Sequence, residues 1–340
     1  MATVTSSIGT SSRDYSTVTL WEAAISTGSA DDIVGEMYAD SDFDENALIN
    51  VAGSLLSVKL CAAAGEGHDG SPNSGVRFLK TASGAAVEAA TAVDVTLEDA
   101  ELDYQETYIG KSGGGALHSV DFVHRILLHG LKGYGYQYGI INAKYPRNCV
   151  VYDIELLGTN TYHGFTGIQV AGTATGATNC TVHNIRCTGA GQRLRGIAYS
   201  QWVTGSVENN IATDIINTGN AADGRCFDSG AGARIVTHNI SSDTSSEGTG
   251  SVDSVTAASL YVSTTVGSED LSLKSGELNA TNGGTNLGSA AGTATDAAGH
   301  NRYTAGGDWD IGAYEFVAAA AGGALLRRPH LNYERVLRTR

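Results

Sequence analysis

Apolar residues recur along this chain at intervals near 28 residues, without the 3.6-residue period of a helix. Gly-Ile pairs lie at 139–140, 167–168 and 196–197, and Gly224 follows 28 residues after the third. A second series contains Ile126, Ile154, Ile185, Ile211 and Ile240. Such a repeat predicts stacked units of two or three short strands separated by Gly or Asn turns. Because no helix supplies a crossover, each strand can pair only with its counterpart in the next unit. The pattern therefore predicts an all-β, right-handed parallel solenoid.

The strength of the repeat divides the chain into three regions. Residues 1–30 are expected to form an N-terminal segment with a short helix over 15–25, capped by Asp14 or Ser16, whose apolar side holds Leu20 and Trp21. This helix would cover the open end of the solenoid. The solenoid itself is predicted over 31–316, with regular coils over 75–243 and irregular closing coils, including a strand at 271–273, over 244–316. Residues 317–340 follow as a C-terminal arm.

Composition and charge narrow the function classes. The chain has 44 glycines and three prolines, and 41% of its residues are hydrophobic, enough for a folded core. A formal net charge of −15 argues against nucleic acid or an anionic membrane as a partner. No secretory signal is visible, and no run of about 18 apolar residues would span a membrane. The five cysteines lack metal-site spacing, so we expect buried thiols, no metal and no cofactor.

One segment near the end of the chain carries a family resemblance. It reads Asp308-Trp309-Asp310-Ile311-Gly312-Ala313-Tyr314-Glu315-Phe316, and the stretches at 14–15, 21–24 and 68–70 are similar to the opening of the same group. With the repeat, these residues resemble the right-handed parallel β-helix, or pectin-lyase-like, superfamily, in a subgroup with a closing D-I-G-A-x-E-aromatic signature. The resemblance covers roughly residues 10–316. It implies either a polysaccharide-active enzyme or a bacteriophage virion protein. In the signature itself, Ile311, Ala313 and Phe316 would pack under the last coil, while Asp310 and Glu315 hydrogen-bond its turns.

The resemblance also implies what a catalytic site would need. Lyases of the superfamily hold calcium with clustered acids and use Arg or Lys as base, and its hydrolases use paired Asp residues. No such set stands in order here, and the remaining candidates are Asp214, Asp223 and Asp228. A column before the repeating Ile predicts an asparagine ladder and contains Arg125, Asp153, Asn184, Asn210 and Asn239.

Two groups of rings are candidate contact surfaces. The column one step earlier predicts an outward file that serves as an inter-subunit contact or binds a ligand, and contains His124, Tyr152, His183, Asn209 and His238. A tyrosine cluster predicts a second contact face and includes Tyr134, Tyr136 and Tyr138.

The arm after residue 316 lies outside the family resemblance. It is basic and amphipathic, and its candidate anchoring residues are Arg327, Arg328, Tyr333, Arg335, Arg338 and Arg340. We therefore expect a non-enzymatic phage virion protein, a capsid decoration or cement protein or a head-surface spike, held to a capsid or other virion protein by the arm or one end. A homotrimer on the virion surface is the expected state. The alternative is an extracellular or tailspike-like polysaccharide lyase or glycoside hydrolase, with polysaccharide as the partner.

Overall fold

The computed structural model describes most of the chain outside the C-terminal arm. The described ranges are 3–25, 31–51, 55–90, 93–105, 115–133, 136–157, 164–170, 176–187, 193–199, 204–219, 223–229, 235–288, 294–302 and 308–317. The arm residues named above, and Tyr134, lie outside these ranges. Within them, no helix has the length and apolar character needed to cross a membrane.

Three parallel sheets wind around one core, which confirms the predicted all-β parallel β-helix. Sheet A contains β1 (Thr3–Ile8), β2 (Asp32–Met37), β4 (Ser57–Ala62), β7 (Asp94–Glu98), β10 (Phe122–His124), β14 (Tyr145–Arg147), β17 (Ala177–Thr178), β20 (Ser206–Glu208) and β23 (Ile235–Thr237). Sheet B contains β5 (Arg77–Leu79), β8 (Glu101–Asp103), β11 (Leu127–His129), β15 (Val150–Leu156), β18 (Thr181–Cys187), β21 (Ile211–Asn217) and β24 (Ile240–Ser241), and β12 (Lys132–Gly133) pairs with β15. Sheet C contains β3 (Ala47–Ile49), β6 (Val87–Ala89), β9 (Gly115–His118), β13 (Tyr136–Ala143), β16 (Gly164–Val170), β19 (Arg193–Tyr199) and β22 (Gly224–Ser229).

Parallel pairing starts earlier in the chain than the regular repeat suggests. Strand β1 already pairs with β2, and β2 pairs with β4, six residues in each case. These first coils lie N-terminal to residue 75, where the sequence predicts only irregular turns. The reason is that the early strands have no recurring Gly-Ile pair, although every second residue of β2 is buried.

The N-terminal helix α1 spans Val18–Ile25, three residues shorter than predicted. Its first N–H groups are accepted by the Thr17 hydroxyl, 3.1 Å from Leu20 N, and by the Glu45 carboxylate, 2.8 Å from Val18 N. Asp14 instead accepts from Ser7 N at 2.8 Å, so the predicted caps are wrong. Trp21 is buried in the core of the solenoid, whereas Leu20 is 54% exposed.

The Gly-Ile repeat belongs to sheet C. Ile140, Ile168 and Ile197 pair in successive coils, and the next partner is Phe227. Gly224 instead pairs with Leu194, so Cys226 and not Gly224 continues the glycine column. The glycines are needed because neighbouring coils approach closely: a Cβ on Gly139 would lie 2.5 Å from the Gly167 carbonyl oxygen.

Two series of left-handed residues shape the coils. At the turn from sheet A to sheet B, φ lies between 50° and 61° for Asp99, Arg125, Asn148, Asn179, Asn209 and His238. A second turn, in the middle of the longer sheet B strands, holds Gly130, Asp153, Asn184 and Asp214. Asn, Asp and Gly tolerate this conformation best.

These turns correct the predicted asparagine column. Its five residues fall into three positions of the coil: Arg125 in the first turn, Asp153 and Asn184 in the second, and Asn210 with Asn239 just after the first. An asparagine ladder does exist, because Asn210 Nδ2 donates to Asn239 Oδ1 at 3.0 Å and both side chains are buried. A parallel contact joins Asn209 Nδ2 to Asn179 Oδ1 at 3.0 Å.

The last described residues form a second layer outside the solenoid. We call the described residues from 252 to 317 the closing segment. It contains α2 (Ala257–Leu260) and an antiparallel pair, β25 (Tyr261–Ser263) and β26 (Asp270–Leu273), which confirms the predicted strand at 271–273. Its apolar side chains pack on the outer face of sheet B in a second cluster that includes Leu127, Val150, Ile211, Ile240, Leu260, Leu271, Ile311 and Ala313.

The closing signature lies beside the coils and not under the last one. Ala313 N donates to Thr181 Oγ1 at 2.9 Å, Gly312 N donates to Asn209 O at 2.8 Å, and the Tyr314 hydroxyl donates to Gly70 O at 2.9 Å. The signature therefore spans several coils along sheet B. Its acids do bond turns, as predicted: Asp310 accepts from Asn282 N at 2.7 Å, and Glu315 Oε1 lies 2.6 Å from Arg302 Nη1.

Candidate functional site

The predicted outward file of rings is not one file. Tyr152 and His183 are register partners on the outer face of sheet B, but the closing segment buries both. His183 packs edge-on against Tyr261, with ring centroids 5.5 Å apart, and its Nδ1 lies 2.9 Å from Thr213 Oγ1. Burial, helped by Arg186, lowers the pKa of His183 to about 4. These two rings are therefore part of the second core and not a free surface.

The other members of that file lie at the turn between sheets A and B or on sheet A. His238 Nδ1 is 2.8 Å from Thr285 Oγ1, and Asn209 Oδ1 accepts from Thr285 N at 2.8 Å. Both residues thus attach the closing segment to the coils. His124 is the exception, because it ends β10 on sheet A.

The outer face of sheet A is the best candidate contact surface among the described residues. Phe122 and Tyr145 are register partners there, and their rings stack with centroids 5.4 Å apart and planes 11° from parallel. We call them the aromatic pair. Both are half-buried, and the closing segment's apolar cluster does not include them. Stacked half-buried rings offer a flat apolar area that suits either a sugar face or a protein partner.

A charged row runs along the same face, next to the aromatic pair. Glu98 and His124 are register partners, with Glu98 Oε1 2.9 Å from His124 Nδ1, and Lys59 Nζ lies 2.5 Å from Glu98 Oε2. Burial alone would raise the pKa of Glu98, but the hydrogen bonds from His124 and Lys59 outweigh it and lower the pKa to about 2. Glu98 is thus a carboxylate at neutral pH, and it holds the two cationic or polar partners in fixed positions.

One atom of the row has no partner in the described structure. His124 Nε2 is buried and makes no hydrogen bond, although the ring edge faces Phe122 with centroids 6.5 Å apart. An unpaired buried nitrogen costs free energy, on the order of 1–3 kcal/mol. Such a cost is often tolerated where a partner molecule supplies the missing contact.

The three candidate carboxylates lie in two places. Asp223 and Asp228 meet around Arg195 on sheet C: Arg195 Nε is 2.5 Å from Asp228 Oδ2, and Arg195 Nη1 donates to Asp223 O at 2.8 Å. Asp214 lies on sheet B, where burial raises the pKa of its carboxyl. It lines an open cavity of 380 Å³ together with Ile216, Cys226, Asp243 and Thr256.

That cavity offers little free chemistry. Asp243 Oδ2 accepts from Cys226 N and its Oδ1 accepts from Ser245 N, each at 2.9 Å, so this carboxylate holds the local turn. The nearest described base to Asp214 is His183, whose Nδ1 is 3.9 Å from Asp214 Oδ2. A buried imidazole with a lowered pKa is a poor acid at neutral pH.

The tyrosine cluster is only partly described. Tyr138 is in β13 on sheet C and is buried. Tyr136 begins β13, but its side chain lies outside what the structure describes, as does all of Tyr134. Tyr145, by contrast, belongs to sheet A, so these tyrosines do not share one face.

Two groups escape sequence reasoning. The aromatic pair joins Phe122 with Tyr145, 23 residues apart, a shorter step than the 28-residue repeat suggests. The side chains of Glu101, Asp103 and His129 meet on sheet B, and the alternation of the two acids in β8 is the signal that could have indicated a shared face.

Comparison with known proteins adds no name to this architecture. No protein-family model matches the chain, and no curated protein sequence matches it. The class that the geometry defines is a parallel β-helix with one covered lateral face.

Proposed function

We propose that this chain is a non-enzymatic structural protein of a bacteriophage virion. In this proposal it is a capsid decoration or cement protein, or a head-surface spike, and acts as a homotrimer at the virion surface. Its resemblance to the pectin-lyase-like subgroup with the D-I-G-A-x-E-aromatic ending supports the assignment, because that subgroup includes virion proteins.

The observation that carries the proposal is the covered face of sheet B. The closing segment adds a second apolar core along the coils and hydrogen-bonds to residues as far apart as Gly70 and Asn209. A solenoid whose repeats touch only their neighbours can open locally. A strap that joins distant coils opposes such opening, and the result suits a rigid post on a particle.

Two regions would make the contacts. The arm 317–340 carries the arginines that can anchor to an acidic capsid surface, and the aromatic pair on sheet A offers an uncovered apolar area. The acidic remainder of the chain would face solvent, since net negative charge favours solubility.

Particle binding tests the proposal. The full chain, a variant that ends at residue 316 and a Phe122→Ser/Tyr145→Ser double variant are each mixed with capsids of the encoding phage that lack the protein, and bound protein is measured after sedimentation. We expect the truncated form to lose binding and the double variant to bind more weakly. Leu278→Ser is the control, because Leu278 is 88% exposed on the closing segment, away from both regions. Normal binding by the truncated form would refute anchoring by the arm, and no binding by the full chain would refute the virion assignment.

The aromatic pair and the cavity at Asp214 favour a second candidate. Flat rings beside Lys59 and Glu98 are a surface on which a polysaccharide could stack, and Asp214 has a raised pKa, as an acid catalyst requires. The chain would then be a polysaccharide lyase or glycoside hydrolase. Assays for reducing ends and for unsaturated products on a polysaccharide panel test it, and activity that persists unchanged in Asp214→Asn would exclude this carboxylate.

A further inference from the structure

Three metal-ligating side chains meet on the outer face of sheet B, at the side where the coils begin. Asp103 and His129 are register partners in β8 and β11, and Glu101 lies two residues before Asp103 on the same face. His129 Nε2 is 2.8 Å from Glu101 Oε1, and His129 Nδ1 is 3.9 Å from Asp103 Oδ1. One ligand atom from each of the three residues lies within 4.8 Å of the other two.

The surrounding contacts fix all three side chains. The Tyr152 ring stacks on the His129 ring, with centroids 5.1 Å apart. Asn73 N donates to Glu101 Oε2 at 2.7 Å, and Gln105 N donates to Asp103 Oδ1 at 3.0 Å. Backbone donors that orient carboxylates and a packed ring that orients an imidazole are the kind of outer contacts that support metal ligands.

The local charge is negative. Glu101 is fully buried and Asp103 nearly so. The nearest described cation is Arg77, whose Nη1 is 3.6 Å from Asp103 Oδ2, but Arg77 also makes two hydrogen bonds of 2.9 Å to Asp42. Three carboxylates thus share one guanidinium. Buried carboxylates need compensation, and a divalent cation supplies more of it than a singly protonated imidazole.

We propose that Glu101, Asp103 and His129 form a binding site for a zinc-type divalent cation. One imidazole nitrogen and two carboxylate oxygens are ligands that Zn²⁺ accepts, and water would complete the coordination on the partly exposed side of His129 and Asp103. Calcium fits less well, because it takes six to eight oxygen ligands and does not favour nitrogen. The site is therefore different in ligand type from the acid-only calcium sites that the family resemblance implies.

The cation would act as a cross-link between coils. Its ligands come from β8 and β11, which are neighbouring strands of sheet B, and Tyr152 in β15 packs over the imidazole. Binding would replace the proton now shared between His129 and Glu101 and would stabilise the folded chain, since the three ligands come together only on folding. This site does not depend on the proposed virion function.

Metal titration of the full chain tests the site. The protein is first stripped with a chelator, and Zn²⁺, Co²⁺, Mn²⁺ and Ca²⁺ are then titrated separately by calorimetry, with metal content counted by elemental analysis. We expect one Zn²⁺ per chain, a Co²⁺ absorption spectrum typical of nitrogen and oxygen ligands, and a higher Tm with Zn²⁺ than with chelator. His129→Gln and the isosteric Asp103→Asn should each weaken Zn²⁺ binding by at least about tenfold.

A matched control separates this site from ordinary histidine–carboxylate pairs. His118 and Glu88 are register partners on sheet C, with His118 Nδ1 3.1 Å from Glu88 Oε1, and they do not belong to the three-residue group. His118→Gln should leave Zn²⁺ binding unchanged. The proposal is overturned if the wild-type chain binds no stoichiometric Zn²⁺, if it binds Ca²⁺ in preference, or if His129→Gln binds Zn²⁺ as wild type does. The wild-type measurements decide the matter even if a variant does not fold.

Discussion

Gly312 is the position where the closing segment comes nearest to the coils, and its replacement by alanine tests the covered face directly. Its φ is +100°, and a Cβ built there would lie 2.6 Å from Ile211 Cδ1 and 3.1 Å from Thr181 Oγ1. The left-handed backbone costs an L-residue on the order of 1–2 kcal/mol. The overpacking against Ile211 adds about 1–3 kcal/mol. We therefore expect Gly312→Ala to lower the free energy of unfolding by about 2–5 kcal/mol.

Gly276 provides the matched control. It lies in the same segment with φ +79°, but nothing lies within 4 Å of a Cβ built on it. Gly276→Ala should therefore show only the backbone cost, about 1–2 kcal/mol. Urea unfolding followed by tryptophan fluorescence measures both variants, and limited proteolysis reports whether the closing segment has detached. Equal losses in the two variants would refute the close contact between the closing segment and sheet B.

Three further predictions concern other parts of the β-helix. The pKa of Glu98 is lowered from 4.5 to about 2, so its contribution, up to about 3 kcal/mol, is present above pH 4.5 and is lost as the pH falls towards 2; Glu98→Gln should flatten this part of an acid-denaturation profile, and an unchanged profile would contradict the assignment. Asn239→Ala should cost about 2–4 kcal/mol in urea unfolding, because it leaves Asn210 N and Nδ2 and the Val207 carbonyl oxygen unpaired in the core; a loss below about 1 kcal/mol would mean that water replaces the ladder. Trp21→Ala should cost about 3–5 kcal/mol and uncover the first coil against which Trp21 packs at Gly35; light scattering should then show self-association, and a monodisperse, equally stable variant would refute the capping role of α1.

The fold class and several individual elements follow from the sequence because they depend on local spacing. Gly139, Gly167 and Gly196 recur where neighbouring coils leave no room for a Cβ, and this alone indicates stacked strands. The strand at 271–273 and the structural role of Asp310 were predicted in the same way, from alternation and from turn chemistry.

The candidate sites could be predicted only in part, because they depend on which residues of successive coils face each other. The turn residues Arg125 and Asn148 are 23 positions apart, whereas Asn148 and Asn179 are 31 apart. Turns and loops absorb such differences, so equal spacing in sequence does not mean equal position in the coil. For this reason His124 and His183 seem aligned in the sequence and yet belong to different sheets.

What the sequence by itself determined is the parallel β-helix, through a repeat that only stacked strands satisfy. What the tertiary structure decided is which faces remain available. Ile154 and Ile185 point into the solenoid, whereas Ile211 and Ile240 point outward under the closing segment, and the sequence cannot tell them apart. The physical reason is that sheet B is buried on both faces, so its strands lose the alternation of apolar and polar residues that would reveal their orientation.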